Sequence, residues 1–386
     1  MEVTEMKMRK VFAIVLAAVM CLSLMVGCSK KDSGDNVIKL GMTGPLTGDA
    51  AIYGTAVKNA IELAVAEVNA KGGIQFEFKA EDDQADGETA VNAYNSLMDW
   101  GMDILLGTVT SGACISVAAE TSADRVFTLT PSASSSDVTK GNDNVFQVCF
   151  SDPNQGSGSA VYMANNMPGS KVAVIYRNDD AYSQGIRDTF VAKAAELGVA
   201  VVYEGTFTKD TQTDFSVQLT AAQSAGADMI FLPIYYQPAS VILSQADQMG
   251  YAPTFFGVDG MDGILTMEGF DASLAEGVML LTPFSADASD ELTQNFVKKY
   301  QEKYGEIPNQ FAADGYDAVY IVYNALNDVG CTADMSAKDL CEKLIAAMTK
   351  MSYSGLTGQG LTWNAEGEVS KDPLAVVIKG GAYVTP

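Results

Sequence analysis

Two hydroxyl-rich loops carry the residues best suited to hold an anion. Thr108-Val109-Thr110-Ser111-Gly112-Ala113 and Thr130-Pro131-Ser132-Ala133-Ser134-Ser135-Ser136 each follow an apolar, strand-like run. Where such a loop opens a helix, it presents hydroxyls and backbone N–H groups together, the combination that receives a carboxylate or phosphate. Ordinary capping of helices by Ser and Thr explains the same composition, so the loops alone leave both readings open. Tyr53, Tyr182, Tyr235 and Tyr236 fall in loops and can wall a small pocket or simply lie on the surface. Asp259, in Gly257-Val258-Asp259-Gly260, is either a countercharge for a cation or, on its local pattern, a turn aspartate.

Other chemistry is excluded. The 386 residues contain no histidine, which removes Ser-His-Asp and Cys-His nucleophile pairs, histidine zinc sites and histidine general bases. Carboxylate-pair and lysine chemistry remain open to an enzyme. There is no Gly-x-Gly-x-x-Gly between a strand and a helix and no Walker loop, so neither a nucleotide cofactor nor a metal is expected. The formal net charge of −24 argues against nucleic acid and anionic membrane surfaces as partners.

The N-terminus has the layout of a bacterial lipoprotein signal. Lys7, Arg9 and Lys10 precede a charge-free apolar run from Val11, which closes on Met25-Val26-Gly27-Cys28. That run is shorter than the roughly 20 residues a spanning helix prefers. Residues 1–27 are therefore expected to be cleaved, with Cys28 lipidated and residues 28–36 a polar tether. Glu2 and Glu5 sit oddly before a basic segment, so Met6 or Met8 is an alternative start. No later apolar run reaches spanning length, which places the remainder outside the membrane, held to it only through the lipid. Of the cysteines beyond Cys28, none forms a Cys-x-x-Cys. Cys331 and Cys341 flank a short polar segment and are candidates for a local disulfide, while Cys114 and Cys149 are expected as buried thiols.

The elements that must position these residues follow a βα alternation. Strands are predicted at 37–41, 76–78, 104–106 and 126–129, with helices at 55–70, around Val91, Tyr94 and Leu97, and from Cys114. A second series has strands at 171–176, 199–203, 229–232 and 254–256, with helices ending at Leu197, Ala225 and Met249. Helices follow at 290–304, 312–327 and 337–349, then short strands at 361–363 and 374–378. Two such series predict two doubly wound α/β lobes, and the chain is long enough for two domains of ~150 residues. In wound sheets, ligands bind beyond the carboxyl ends of the strands, where the loops above lie.

In this order the segments resemble the substrate-binding proteins of branched-chain amino acid ABC transporters, the leucine/isoleucine/valine-binding family, over residues 37–380. The most specific pieces are Gly44-Pro45-Leu46-Thr47-Gly48 with Tyr53-Gly54, and Ala64-Val65-Ala66-Glu67-Val68-Asn69-Ala70-Lys71-Gly72-Gly73-Ile74. Others are Asp82-Asp83, Thr130-Pro131-Ser132-Ala133, Tyr182-Ser183-Gln184-Gly185, Asp214-Phe215-Ser216 and Leu361-Thr362-Trp363. The resemblance implies a type I periplasmic binding protein: two lobes joined by three crossovers near 151–154, 281–284 and 358–361. It divides the chain into residues 37–151 with 284–360, and 152–283 with 361–386.

The resemblance also implies residue roles. Ser111 and Ser134 fall on the positions that receive the ligand carboxylate, the carbonyl of Ser132 on one that receives the ammonium group, and Asp259 on its acidic partner. Tyr53, Thr110, Tyr182, Tyr236 and Phe311 fall on the side-chain walls. An enclosed ammonium without a countercharge is costly, which moves Asp259 from turn residue to ligand partner. Asp replaces the commoner Glu, shortening the reach, and Thr110 makes the pocket more polar than a leucine site. A disulfide that the family forms between the Asp82-Asp83 region and the Thr110 loop is impossible here, because neither loop has a cysteine. The implied function is capture of an aliphatic, branched-chain amino acid by a monomer outside the cell, for delivery to permease subunits. An amide, a urea-like molecule or an aromatic acid as ligand, or a sensory role, is the alternative. A single lipid anchor on such a protein suits a Gram-positive cell surface.

Overall fold

Nearly continuous apolar runs become buried parallel strands, and amphipathic segments between them become the covering helices, in a computed structural model that describes residues 37–386. The first sheet has the order β2-β1-β3-β4-β5, built from β1 (Val37–Gly44), β2 (Gln75–Asp82), β3 (Ile104–Leu105), β4 (Phe127–Thr130) and β5 (Val145–Gln147). All its pairings are parallel. The second sheet comprises β6 (Lys171–Arg177), β7 (Ala200–Phe207), β8 (Met229–Leu232), β9 (Thr254–Gly257), β10 (Met279–Thr282), β11 (Leu374–Lys379) and β12 (Ala382–Val384). Its parallel part, β7-β6-β8-β9-β10, repeats the winding of the first sheet, and β11 and β12 extend it as antiparallel strands. Each sheet thus reverses its strand order once, between its first and third strands, and the loops beyond that point converge on one place.

The helices are α1 (Ala51–Lys71), α2 (Gly87–Trp100), α3 (Ser111–Asp124), α4 (Asp152–Asn166), α5 (Ala181–Leu197), α6 (Ser216–Ser224), α7 (Tyr236–Gln248), α8 (Glu291–Tyr304), α9 (Gln310–Asp328) and α10 (Ala337–Met348). Helix α1 buries Val57, Ala60, Ile61, Ala64 and Val68, which recur at helical spacing, and packs on α9. It stops at Gly72, whose φ of 76° an L side chain rarely adopts. Gly54, in its first turn, is needed for a different reason: an added Cβ would stand 2.0 Å from the Pro45 carbonyl oxygen, so only glycine lets the loop after β1 fold back on the helix. The chain passes between the sheets three times, after β5, after β10 and again before β11. Between the last two passages α9 returns to α1 and α10 to β4.

The expected strand at 361–363 is reduced to two isolated bridges, Tyr353 with Leu361 and Trp363 with Val369. The segment hydrogen-bonds into the first sheet instead: Trp363 Nε1 donates to the Gln147 carbonyl at 2.7 Å, and Gln147 N to the Gly367 carbonyl at 2.9 Å. The expected Cys331–Cys341 disulfide is not formed. Both are free, buried thiols, Cys331 in the turn that closes α9 and Cys341 on the buried face of α10 beside Leu340 and Leu344. Both belong to the buried apolar core, and burial pushes the Cys341 thiol up to about 12. Cys114 and Cys149 are free and buried. The signal, Met6 or Met8 as start, Cys28 and the tether lie outside the described residues. Among the described residues no helix is long and apolar enough to cross a membrane, and no cluster of His, Cys, Asp or Glu could hold a metal ion.

Candidate functional site

The loops at the carboxyl ends of both sheets meet around a small, tightly closed cavity. From the first sheet come Tyr53 on α1, Val109 and Thr110 after β3, Ser111 opening α3, and Ser132 after β4; Phe311 on α9 joins them. From the second come Tyr182 on α5, Tyr235 after β8, and Asp259 and Gly260 after β9. Seven of the nine residues expected at the ligand are in this lining. Ser134 and Tyr236 stand just outside it.

Asp259 opens a short 3-10 turn and is 4% exposed. Its Oδ1 accepts from the Tyr182 hydroxyl at 2.5 Å, its N–H donates to Gln155 Oε1 at 3.1 Å, and its carbonyl accepts from Gln310 Nε2 at 2.7 Å. Burial raises its carboxyl to about 6, opposed by the bonds from Tyr182 and Gln155. Near neutral pH the group is an anion held by neutral donors. A buried carboxylate in this condition attracts a cation strongly, because the low dielectric amplifies the missing countercharge.

The first sheet supplies the opposite polarity. Ser111 begins α3, whose N-terminus points its unpaired N–H groups and positive dipole end toward the cavity loops. The Ser111 hydroxyl oxygen accepts from Ser135 N at 3.2 Å, leaving its proton to give. Thr110 Oγ1 is buried with no protein partner. The Ser132 hydroxyl is committed to the Val109 carbonyl at 2.7 Å, so its own carbonyl is the group left for a ligand. Anion-binding hydroxyls and a cation-binding carboxylate therefore enter one cavity from different sheets.

Rings close the remaining walls. Tyr53 lies 4.2 Å from Phe311, 5.0 Å from Tyr236 and 5.4 Å from Tyr235, centroid to centroid. Its hydroxyl donates to the Gly260 carbonyl and accepts from Tyr236 N at 3.2 Å, tying α1 to two loops of the second sheet. Tyr182 adds a second tie within that sheet, accepting from Gly260 N at 2.9 Å.

Of the two tyrosines that the residue pattern named, Tyr235 rather than Tyr236, the one implied by the resemblance, faces the cavity; Tyr235 is the N-cap of α7 and Tyr236 its first residue, and one step at a helix start turns the side chain aside. Tyr236 instead packs its ring on Tyr53. Ser134 points its hydroxyl toward Asp152, and its carbonyl accepts from Asp152 N at 2.9 Å. Gln310 was adjacent to a named wall residue, Phe311, whereas Gln155 lies on α4, which no periodic pattern announced.

Comparison with known proteins agrees with this architecture. A family model described as periplasmic binding protein matches residues 37–382. A Leu/Ile/Val-binding protein homologue of Brucella melitensis is 29% identical over 305 residues, 78% of this chain and 81% of that protein. The crystal structure of the branched-chain amino acid transporter substrate-binding protein LivJ from Streptococcus pneumoniae, in complex with isoleucine, superposes with a TM-score of 0.80 at 28% identity, over 91% of this chain and all of that one. A solute-binding protein of R. palustris in complex with benzoate shares the fold, with a TM-score of 0.80 at 22% identity over 90% of this chain and 95% of the other.

Proposed function

Because the chain belongs to the periplasmic binding protein family, we propose that it captures an aliphatic, branched-chain amino acid between its two lobes and delivers it to the permease subunits of an ABC transporter. The observation that carries the reading is the bipolar cavity: Asp259 from one sheet, and Ser111 with the N-terminus of α3 from the other, suit an ammonium and a carboxylate on the same carbon. In this reading the Ser132 carbonyl completes the polar contacts, Tyr53, Thr110, Tyr182, Tyr235 and Phe311 enclose the side chain, and Ser134, outside the lining, supports the loop from behind. Tyr236 supports Tyr53 from behind. The lobes divide as residues 37–151 with 284–360 and residues 152–283 with 361–386. Closure of one on the other is a hinge motion favoured by ligand contacts to both.

Cys28 carries lipid in this reading, so that a monomer works at the outer face of the membrane of a Gram-positive cell. Tethering raises its concentration near the permease without any new contact. Replacing Cys28 by Ser should release the protein into the medium, and retention at the membrane would refute the anchor.

The ring-rich walls favour one second reading, an aromatic acid. Asp259 stands against it, since a carboxylate without an ammonium would leave two anions in one enclosed space. Calorimetric titration of residues 29–386 with leucine, isoleucine, valine, benzoate and simple amides tests the choice. Binding of the aliphatic amino acids alone supports the proposal, and binding of benzoate or amides in their place overturns it.

A further inference from the structure

Behind the cavity the two halves enclose more negative charge than the protein itself neutralises. Asp152, Asp259, Asp314 and Asp317 are all at most 4% exposed, and Lys371 is the one equally buried cation among the described residues. Lys371 is already engaged, its Nζ donating to Asp314 Oδ1 at 3.2 Å and to Thr357 Oγ1 at 2.7 Å. Asp317 is fully supplied with neutral donors: Tyr353 OH, the backbone N–H groups of Leu356 and Thr357, and the Thr357 hydroxyl, all at 2.8–3.0 Å. Asp259 has Tyr182 and, on the functional reading above, the ligand. Asp152 is the least supplied: neither carboxyl oxygen is within a full hydrogen bond of a protein donor, only the Ser134 hydroxyl is turned toward it, and the residue is 1% exposed.

Its position is at the join of the halves. Asp152 is the first residue of α4, immediately after the first passage between the sheets, and its N–H is bonded to the Ser134 loop of the first half. On the other side it lies against α5 of the second half, where a Cβ added at Gly185 would stand 3.0 Å from Oδ2. We propose that Asp152 is a proton-binding site that fills when the lobes close and empties when they open, so that ligand capture takes up one proton from solution.

Geometry supports this from every side. The charged groups acting most strongly on Asp152 are carboxylates: Asp259 after β9, Asp180 at the start of α5, and Asp137 in the loop beyond Ser134; Arg177 faces Asp180, and Lys371 is taken up by Asp314. The neutral groups beside it are the Ser134 hydroxyl, without a partner of its own, and Gln155 one turn along α4, whose Nε2 is also without a protein partner. Burial holds the Asp152 carboxyl well above the usual carboxylate range, with Ser134 opposing and the three carboxylates adding to the rise. An ionised carboxyl in this place would be an unpaired buried charge. Separation of the halves would expose it to water and restore its ordinary acidity near ~3.9. The sign follows: the closed form binds the extra proton, so affinity is highest below the open-state value and declines, by up to tenfold per pH unit, as the pH rises from there to the closed-state value, above which it levels off.

Coupling to an amino acid rests on the functional reading above, and the test separates the two. Titration of the full chain with isoleucine at pH 7.5, in buffers of different ionisation enthalpy, counts protons: about one should be taken up per ligand bound, and none by Asp152→Asn, whose affinity should no longer fall with pH as the wild type's does. No uptake in the wild type, or equal uptake in the variant, overturns the proposal. Carbon-13 NMR of the aspartate carboxyls, with whichever of isoleucine, benzoate or a simple amide binds, should show a carboxyl that is protonated at neutral pH, is missing from Asp152→Asn, and returns towards the ordinary range without ligand. If benzoate or an amide, and not isoleucine, brings that carboxyl up, the amino-acid reading fails and the proton site stands. If the Asp152 carboxyl titrates in the ordinary range with ligand bound, the proton site fails whatever the ligand.

Discussion

The two sides of the cleft are built on the same winding and do opposite electrostatic work. β2-β1-β3-β4-β5 and β7-β6-β8-β9-β10 present their loops identically, yet the first side offers hydroxyls, a helix N-terminus and no buried carboxylate at the cavity, whereas the second offers Asp259 and two tyrosines. The difference teaches that the fold supplies the meeting point and the loop residues supply its polarity. A zwitterion is the natural occupant of a cavity whose halves disagree in this way.

Breaking the acidic side should have the largest effect. Asp259→Ala is expected to lose about 3–5 kcal/mol of amino-acid affinity by calorimetry, the usual consequence of removing one partner of a buried ion pair. Without ligand the same carboxylate is a burden, and the sign can be worked through. Its folded value of about 6 lies above the unfolded ~3.9, so the native state binds the extra proton and stability falls as pH rises between them. Asp259→Asn should therefore be more stable than wild type by roughly 3 kcal/mol at pH 7.5 in urea unfolding without ligand, with the gap vanishing near pH 4.

The hydroxyl side should give way more gently. Ser111→Ala removes one charge-assisted hydrogen bond and should weaken amino-acid binding by about 2 kcal/mol in the same titration. Tyr53→Phe keeps the ring packing and deletes only the bonds to Gly260 and Tyr236 that cross between the sides. A loss of about 1 kcal/mol in affinity is expected, read as faster ligand release in stopped-flow fluorescence. If Ser111→Ala proves worse than Asp259→Ala, the division of labour between the sides is the reverse of that drawn here.

Much of this was legible in the residues. The βα alternation was visible because buried parallel strands such as Met229–Leu232 are unbroken apolar runs and helices such as α1 repeat apolar residues at helical spacing. Asp259 and the two hydroxyl loops stood out by type. Helix α4 did not, because Asp152-Pro153-Asn154-Gln155-Gly156-Ser157-Gly158-Ser159 has the composition of a loop. Packing overrides propensity there: a Cβ at Gly156 would meet the Ile186 carbonyl at 2.4 Å, so the glycine that weakens the helix is what lets it lie against α5. The Cys331–Cys341 expectation failed for a related reason, since spacing along the chain says nothing of which way each thiol faces. Tyr235 and Tyr236 differ by one position, a distinction no composition argument can draw.

The last segment of the chain has a consequence for biosynthesis. Trp363 and Gly367 bond to Gln147 in the first sheet, Lys371 meets Asp314 on α9, and β11 and β12 complete the second sheet. A polypeptide emerging amino-terminus first can complete the hydrogen bonding of neither half until these residues have followed.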